Sequence, residues 1–226
     1  MKTLDLRELN IRDVNFALQK KSSSKQESWE VLNPRGCHAL AVGLENRSKV
    51  FVRGSTGYYC GGMNKNSDII IEGSAGPGVA ENIMSGSVTV KGDASQYAGA
   101  TGRGGLLIIE GNASSRCGIS MKGVDIIVKG NVGHMSCFMG QSGNLVVFGD
   151  AGESLGDSIY EARIFVRGKV SSLGADCVEK TMSTEDISIL QALLSKSNSP
   201  AKPEQFRRYG SARKLYNFNI DNASDY

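Results

Sequence analysis

Val88-Thr89-Val90-Lys91-Gly92, Leu107-Ile108-Ile109-Glu110-Gly111 and Ile126-Ile127-Val128-Lys129-Gly130 repeat one pattern at intervals of 19 residues. The closing glycine recurs at Gly54, Gly73, Gly92, Gly111, Gly130, Gly149 and Gly168, so the spacing of 19 holds through six consecutive intervals. Four and two residues before these anchors stand Val50/Val52, Ile69/Ile71, Val88/Val90, Leu107/Ile109, Ile126/Val128, Leu145/Val147 and Ile164/Val166. Alternating aliphatics closed by glycine predict a short strand and a turn. Three residues after the anchors stand Gly57, Gly76, Ser95, Ser114, Gly133, Gly152 and Ser171. Seven after them stand Gly61, Ala80, Gly99, Gly118, Cys137, Gly156 and Ala175. All are small.

Helical repeats need roughly 30 or more residues per unit, and 19 is not a multiple of six, which argues against hexapeptide β-helices. One coil of a parallel β-helix fits, with equivalent positions stacked ~4.8 Å apart along the axis. The aliphatic pairs then fill the interior. The small residues mark places where the backbone turns sharply or coils crowd together. The expected fold is therefore all-β, a parallel β-helix of about seven coils with short helical caps at both ends. The chain divides into a cap and linker (1–35), the β-helix (36–180) and a C-terminal helix with a docking tail (181–226).

Two columns flank the inner aliphatics. Just before the anchors stand Arg53, Glu72, Lys91, Glu110, Lys129, Phe148 and Arg167, and the first five alternate in sign. Stacked, they predict an outer charge ladder that fixes register. Between the inner aliphatics stand Phe51, Ile70, Thr89, Ile108, Ile127, Val146 and Phe165. An outward apolar stripe of this length needs a cover, supplied by the chain's own ends or by a partner.

The ends read as caps. A strand over Thr3–Leu6 precedes a helix with Asn10 as N-cap, Asp13 three residues on, and Ile11, Val14 and Leu18 as its apolar face. Lys20 to Gln26 is a polar linker. A second helix, capped by Ser183 or Thr184, is expected to present Ile187, Leu190 and Leu194. Ser195 to Pro203 is a loop. The aromatic, basic ending with Arg207, Arg208, Tyr209, Arg213 and Lys214 reads as a docked arm, with an acidic partner surface as one destination.

The composition excludes several classes. The 28 glycines have no Gly-X-Y period and only 4 prolines accompany them, so the chain is not collagenous. The net charge of +3, from 26 basic and 23 acidic residues, is too balanced to predict nucleic-acid binding. No apolar run approaches the ~20 residues that span a membrane. The N-terminus lacks the apolar core of a signal peptide. Five cysteines without a C-x-x-C pair read as reduced thiols in the cytoplasm, and the two histidines do not complete a metal site.

No catalytic residue stands out. Cys117 and His134 lie on adjacent coils and form the one conceivable nucleophile–base pair, but a small corner residue is the simpler role for the cysteine. Several large or polar residues fall at non-strand positions, among them Tyr97, Arg103, Arg116, Lys122, His134, Gln141, Tyr160 and Glu161, with Asn64 and Met121 in the same set. The first eight make a candidate surface for a partner or substrate; an ordinary wet surface is the alternative.

The motifs Gly54-Ser-Thr-Gly-Tyr-Tyr-Cys-Gly-Gly-Met-Asn64, Gly92-Asp-Ala-Ser-Gln-Tyr-Ala-Gly-Ala-Thr-Gly-Arg-Gly-Gly105 and Gly149-Asp-Ala-Gly-Glu-Ser-Leu-Gly156 resemble the GXGXG domain of glutamate synthases. With the ending Tyr209-Gly-Ser-Ala-Arg-Lys-Leu-Tyr-Asn-Phe218, the whole chain is most similar to the stand-alone form of that domain, the β-helix subunit of N-methylglutamate synthases. The resemblance implies a right-handed β-helix that acts as a scaffold. It implies a class II amidotransferase-like partner subunit and a second partner carrying FMN and an iron–sulfur cluster, with no cofactor on this chain. The implied reaction converts methylamine and glutamate to N-methylglutamate and ammonia. Two alternatives stay open: the β-helix component of a formylmethanofuran dehydrogenase or formyltransferase/hydrolase complex, and a structural β-helix with no enzyme.

Overall fold

A computed structural model describes residues 1–20 and 26–213. The repeat becomes a parallel β-solenoid. Its ladder begins with β1 (Lys2–Asp5) and, after helix α1 (Ile11–Gln19), continues through β2 (Glu27–Leu32) and β3 (Ser48–Arg53). Then follow β4 (Asp68–Ile71), β5 (Ser87–Val90), β6 (Leu106–Ile109), β7 (Lys122–Val128), β8 (Ser142–Val147) and β9 (Arg163–Val166). Each pairs in parallel with the next, and from β3 to β9 the register places equivalent repeat positions opposite one another, Ile69 on Val88 and Val88 on Leu107. All fourteen inner aliphatics are fully buried. β2 extends the same sheet one strand into the N-terminal region, with Trp29 opposite Val50.

A second, narrower ladder runs along the stack two residues beyond the anchors, joining Thr56, Ala75, Ala94, Ala113, Val132, Ala151 and Val170 by single parallel bridges. Beside it the residue after each of the first six anchors uses its side chain as a clasp. The Asn112 N–H donates to Asp93 Oδ1 at 2.7 Å, the Asn131 N–H to Asn112 Oδ1 at 2.9 Å, the Asp150 N–H to Asn131 Oδ1 at 2.7 Å and the Lys169 N–H to Asp150 Oδ1 at 2.7 Å. From Gly73 to Gly168 the anchors lie under this clasp, whereas Gly54, with φ of 140°, faces Pro34 instead. A Cβ on Gly111 would meet Asp93 Oδ1 and, at 2.8 Å, the Gly92 carbonyl. Close approach, and not a left-handed backbone, demands glycine there.

The left-handed conformation is used further round the coil. Tyr59, Gly61 and Met63 have φ of 65°, 68° and 55°; Tyr97, Gly99 and Thr101 have 63°, 68° and 54°. This alternation turns successive amides toward opposite neighbours. The Tyr59 and Met63 N–H groups donate to Pro77 and Glu81 on the following coil, and the Gly61 N–H donates to Leu40 on the preceding one. These inter-coil bonds hold non-glycine residues in a region that disfavours them.

The outer charge column forms in part. Arg53 pairs with Glu30 at 2.6 Å and with Glu72, and Lys91 lies 3.7 Å from Glu110. Lys129 instead donates to the Ser197 carbonyl at 2.9 Å and stands 4.9 Å from the centroid of Phe148. Arg167 approaches the same ring at 5.1 Å, so Phe148 is flanked by cations from the coils on either side. Glu72→Lys and Glu110→Lys are each expected to lower stability by about 0.2–1 kcal/mol, more at low salt than at high. Unchanged melting of both variants in low salt would remove the ladder as a stabilising element.

Both ends of the stack are closed by the chain itself. Asn10 caps α1, its side chain accepting from the Asp13 N–H at 3.0 Å, and Val14 and Leu18 are buried while Ile11 is half-buried. Asn15 then acts as a substitute strand. Its Nδ2 donates to the Ala39 carbonyl at 2.7 Å and its Oδ1 accepts from the Ala41 N–H at 2.8 Å, satisfying backbone at the open end of the first coil. At the other end β10 (Cys177–Lys180) runs to helix α2 (Thr184–Lys196), a single 3-10 turn (Pro203–Gln205) and β11 (Arg207–Ser211). β11 lies antiparallel to both β9 and β10, between them.

α2 covers the far half of the outward apolar column. Ile127, Val146 and Phe165 are buried with Leu190, Leu193, Leu194 and Phe206, whereas Phe51, Ile70, Thr89 and Ile108 are half-buried. Ile187 is the exception to the expected face, at 43 % exposed. Asp186 takes its place at the head of the buried face, because it closes a capping box with Ser183 and meets Arg163 at 3.3 Å and Arg208 at 3.6 Å. Burial alone would raise the Asp186 pKa. The N–H and hydroxyl of Ser183, then Arg208 and Arg163, outweigh it and hold the carboxyl below its ordinary value. A lowered carboxylate pKa stabilises the fold above the unfolded value of about 3.9 and is lost as pH falls through the folded value. The docking of α2 is therefore expected to weaken below about pH 4. Asp186→Asn should lower stability at neutral pH and reduce the difference in melting temperature between neutral and acid pH.

Candidate functional site

The predicted surface residues fall on two different edges of the solenoid. Tyr97, Arg116 and His134 occupy one corner on successive coils, linked by the Tyr97 N–H to the Ser115 carbonyl at 3.1 Å and the Arg116 N–H to the His134 carbonyl at 2.8 Å. Arg103, Lys122, Gln141 and Tyr160 occupy a second edge, each eleven residues beyond its anchor, with Glu161 one residue on. Their amides reach back to the preceding coil: the Arg103 N–H to Ile83 O, Lys122 to Gly102 O, Gln141 to Met121 O and Tyr160 to Gly140 O, at 2.7–2.8 Å. Stacking thus turns a spacing of 19 into a side-chain column on the second edge, while at the first corner His134 sits one residue before Met135, the equivalent of Tyr97 and Arg116. Arg103, Lys122, His134 and Glu161 are exposed and Tyr97, Arg116, Gln141 and Tyr160 half-buried.

Two residues of the same outward set are interior instead. Asn64 is fully buried, its Nδ2 donating to the Ser67 carbonyl at 2.8 Å and its Oδ1 accepting from the Ser67 N–H at 3.1 Å. Met121 is fully buried, 3.6 Å from Cys137 Sγ. The Cys117–His134 pairing does not form either: Cys117 lies in the solenoid core and His134 is exposed on the outside. Burial pushes the thiols of Cys60 and Cys117 up to about 12 and that of Cys177 to about 11, with Cys137 shifted in the same direction. Such groups are neutral thiols at neutral pH and weak nucleophiles. Scattered through an aliphatic stack, they also do not fit the ligand set of an iron–sulfur cluster. Among the described residues no three His, Cys, Asp or Glu side chains converge as a metal site, and no helix is long and apolar enough to cross a membrane.

The basic tail docks on its own solenoid. Arg207 donates to the Gly168 carbonyl at 3.0 Å and lies 3.7 Å from Glu179; Arg213 pairs with Asp176 at 2.6 Å; Tyr209 is buried against the core. Lys214 lies outside the described residues. The β11 placement brings Arg208 toward the second edge, where Ser142, Tyr160, Glu161, Arg163, Lys180 and Arg208 border a cavity of about 360 Å³. Arg163 and Lys180 were not singled out by sequence. No periodic signal marks them, since the cavity joins coils that stack in register to a strand that enters from the C-terminal end.

No protein-family model matches the chain. It is 62 % identical over 228 aligned positions to Protein GlxC of Rhizobium meliloti (strain 1021), a match that spans the whole of both chains. The chain belongs to the GlxC family. At that identity over full length, the solenoid, both caps and the two side-chain edges lie within the region shared with Protein GlxC.

Proposed function

We propose that this GlxC-family chain is the β-helix subunit of a glutamate synthase-like complex of the N-methylglutamate synthase type. Full-length kinship with Protein GlxC is consistent with a glutamate synthase-related role. The observation that carries the reading is the parallel stack itself, whose GXGXG motifs form the corners and clasps and whose outer edges display Arg103, Lys122 and His134. In this role the chain holds an amidotransferase-like subunit and a subunit bearing FMN and an iron–sulfur cluster in fixed relative positions. The chemistry belongs to those partners, and the complex makes N-methylglutamate from methylamine and glutamate, releasing ammonia. The two edges are rigid because every second amide along them is tied to a neighbouring coil, which suits a surface that must set distances between other proteins.

The test is affinity isolation of the tagged chain from its native cells, followed by reconstitution with the recovered subunits. Co-isolation of amidotransferase-like and flavin/iron–sulfur chains, with methylamine-dependent ammonia release, is the expected result. Ammonia-dependent glutamate synthesis by the same complex would keep the glutamate synthase assignment and overturn the methylamine one. Recovery of an amidohydrolase-like formyltransferase, or of a monodisperse monomer alone, would overturn both.

A further inference from the structure

Three cations, Arg163, Lys180 and Arg208, border the cavity at the C-terminal end of the second edge, with Glu161 as the carboxylate in its lining. Arg163 is well paired, with Glu185 at 2.7 Å and Asp186 at 3.3 Å. Arg208 is not. Its side chain is only 12 % exposed, its Nε and Nη1 are buried and donate no hydrogen bond among the described residues, and Asp186 approaches Nε no closer than 3.6 Å. Lys180 stands directly opposite Arg208 in the β10–β11 register, on the same face of the sheet, and makes no ion pair among the described residues. Arg208 thus shares Asp186 with Arg163, while Lys180 beside it has no carboxylate partner among the described residues. A buried guanidinium with unused donors is costly unless an acceptor is supplied.

We propose that this cavity is a binding site for a small free carboxylate, whose oxygens lie between the Arg208 guanidinium and the Lys180 ammonium. A planar fork beside a point charge matches a carboxylate, which accepts from both. Ser142, at the start of β8, adds a hydroxyl to the lining, and Glu161 in the same lining repels a second full negative charge and disfavours a phosphate dianion. The volume of about 360 Å³ falls at the lower end of the range of small-molecule sites, roughly 300–1,000 Å³. The site is thus sized for a molecule of a few carbon atoms. This inference goes beyond the scaffold role and does not depend on it, because the ligand is read on the chain itself.

Titration calorimetry and thermal melting of the full chain with succinate, acetate and inorganic phosphate, at matched ionic strength against sodium chloride, test it. Succinate or acetate is expected to bind one per chain and raise the melting temperature as its concentration rises. Lys180→Glu, at an exposed position opposite Arg208, is expected to weaken binding at least about tenfold while raising the ligand-free melting temperature, since its carboxylate supplies Arg208 with an acceptor. Arg208→Lys is expected to weaken it further. No heat and no melting shift with either carboxylate up to about 50 mM, a range that detects millimolar affinity, overturns the proposal. So does equal binding by the Lys180→Glu variant. Binding of phosphate in preference to both carboxylates overturns the ligand class.

Discussion

Gly149→Ala is expected to lower the unfolding free energy by about 3 kcal/mol, at the upper end of what overpacking costs. A Cβ at this anchor meets Asn131 Oδ1, which is already accepting the Asp150 N–H, and the carbonyl carbon and oxygen of Gly130 at 2.7 Å. Backbone cannot retreat as a flexible side chain would. Relief requires coil separation at that corner, and the Asn131–Asp150 clasp breaks with it. Gly36→Ala is the informative contrast. Its φ of +73° disfavours alanine, but an added Cβ there meets nothing within 4 Å. Its cost should stay near the ~1 kcal/mol of a left-handed alanine. Urea denaturation of both variants measures the difference. Equal losses would mean that the anchors are glycine for backbone conformation and not for close approach.

Phe165→Ala should cost about 3–5 kcal/mol, the range for emptying a buried aromatic site. Phe165 is fully buried on the outer face of the sheet, between the stack and α2, in one cluster with Leu190, Leu193, Leu194 and Phe206. It also lies opposite Arg208 in the β9–β11 register, so the same loss loosens the inserted strand. Ile70→Ala, in the same column but half-buried and beyond the reach of α2, should cost about 1 kcal/mol or less. Hydrogen exchange separates local from global effects. In Phe165→Ala the amides of α2 should exchange faster while those of β4 and β5 stay protected until global unfolding. Unaltered exchange in α2 would show that the helix is held by something other than this cluster.

The solenoid was legible because all coils solve one packing problem. Each must place two aliphatics inside and one glycine under a clasp, so the same residue types recur at the same spacing, and fourteen inward positions could be named. Asn10 and Ser183 were legible as caps, since each carries the side chain that an open helix end needs. The left-handed corners were not. Tyr59, Tyr97, Arg116 and Met135 all adopt positive φ, and nothing in those residue types favours it; neighbouring coils impose the conformation through hydrogen bonds. Asn15 was likewise silent, because a side chain that imitates a strand looks like any polar residue on a helix. Ile187 misled because periodicity cannot see that a capping carboxylate with two arginines outweighs one aliphatic side chain. The cavity was partly visible, through Tyr160 and Glu161. Arg163, Lys180 and Arg208 meet there only because β11 enters the sheet out of chain order.

That entry out of order has a consequence for assembly in time. β9 cannot receive its neighbour until the ribosome has delivered residues about 40 positions downstream, and β10 waits at the rim for the same strand. Coils can therefore stack one after another as they emerge, in the manner of a zipper. The newest rim meanwhile stays an open parallel template for a coil from any chain. The reversed strand ends that window. It fills the place beside β9 and leaves β10 outermost, a strand of four residues with Val178, Glu179 and Lys180 exposed, and so short and charged an edge is a poor seed for end-to-end fibres.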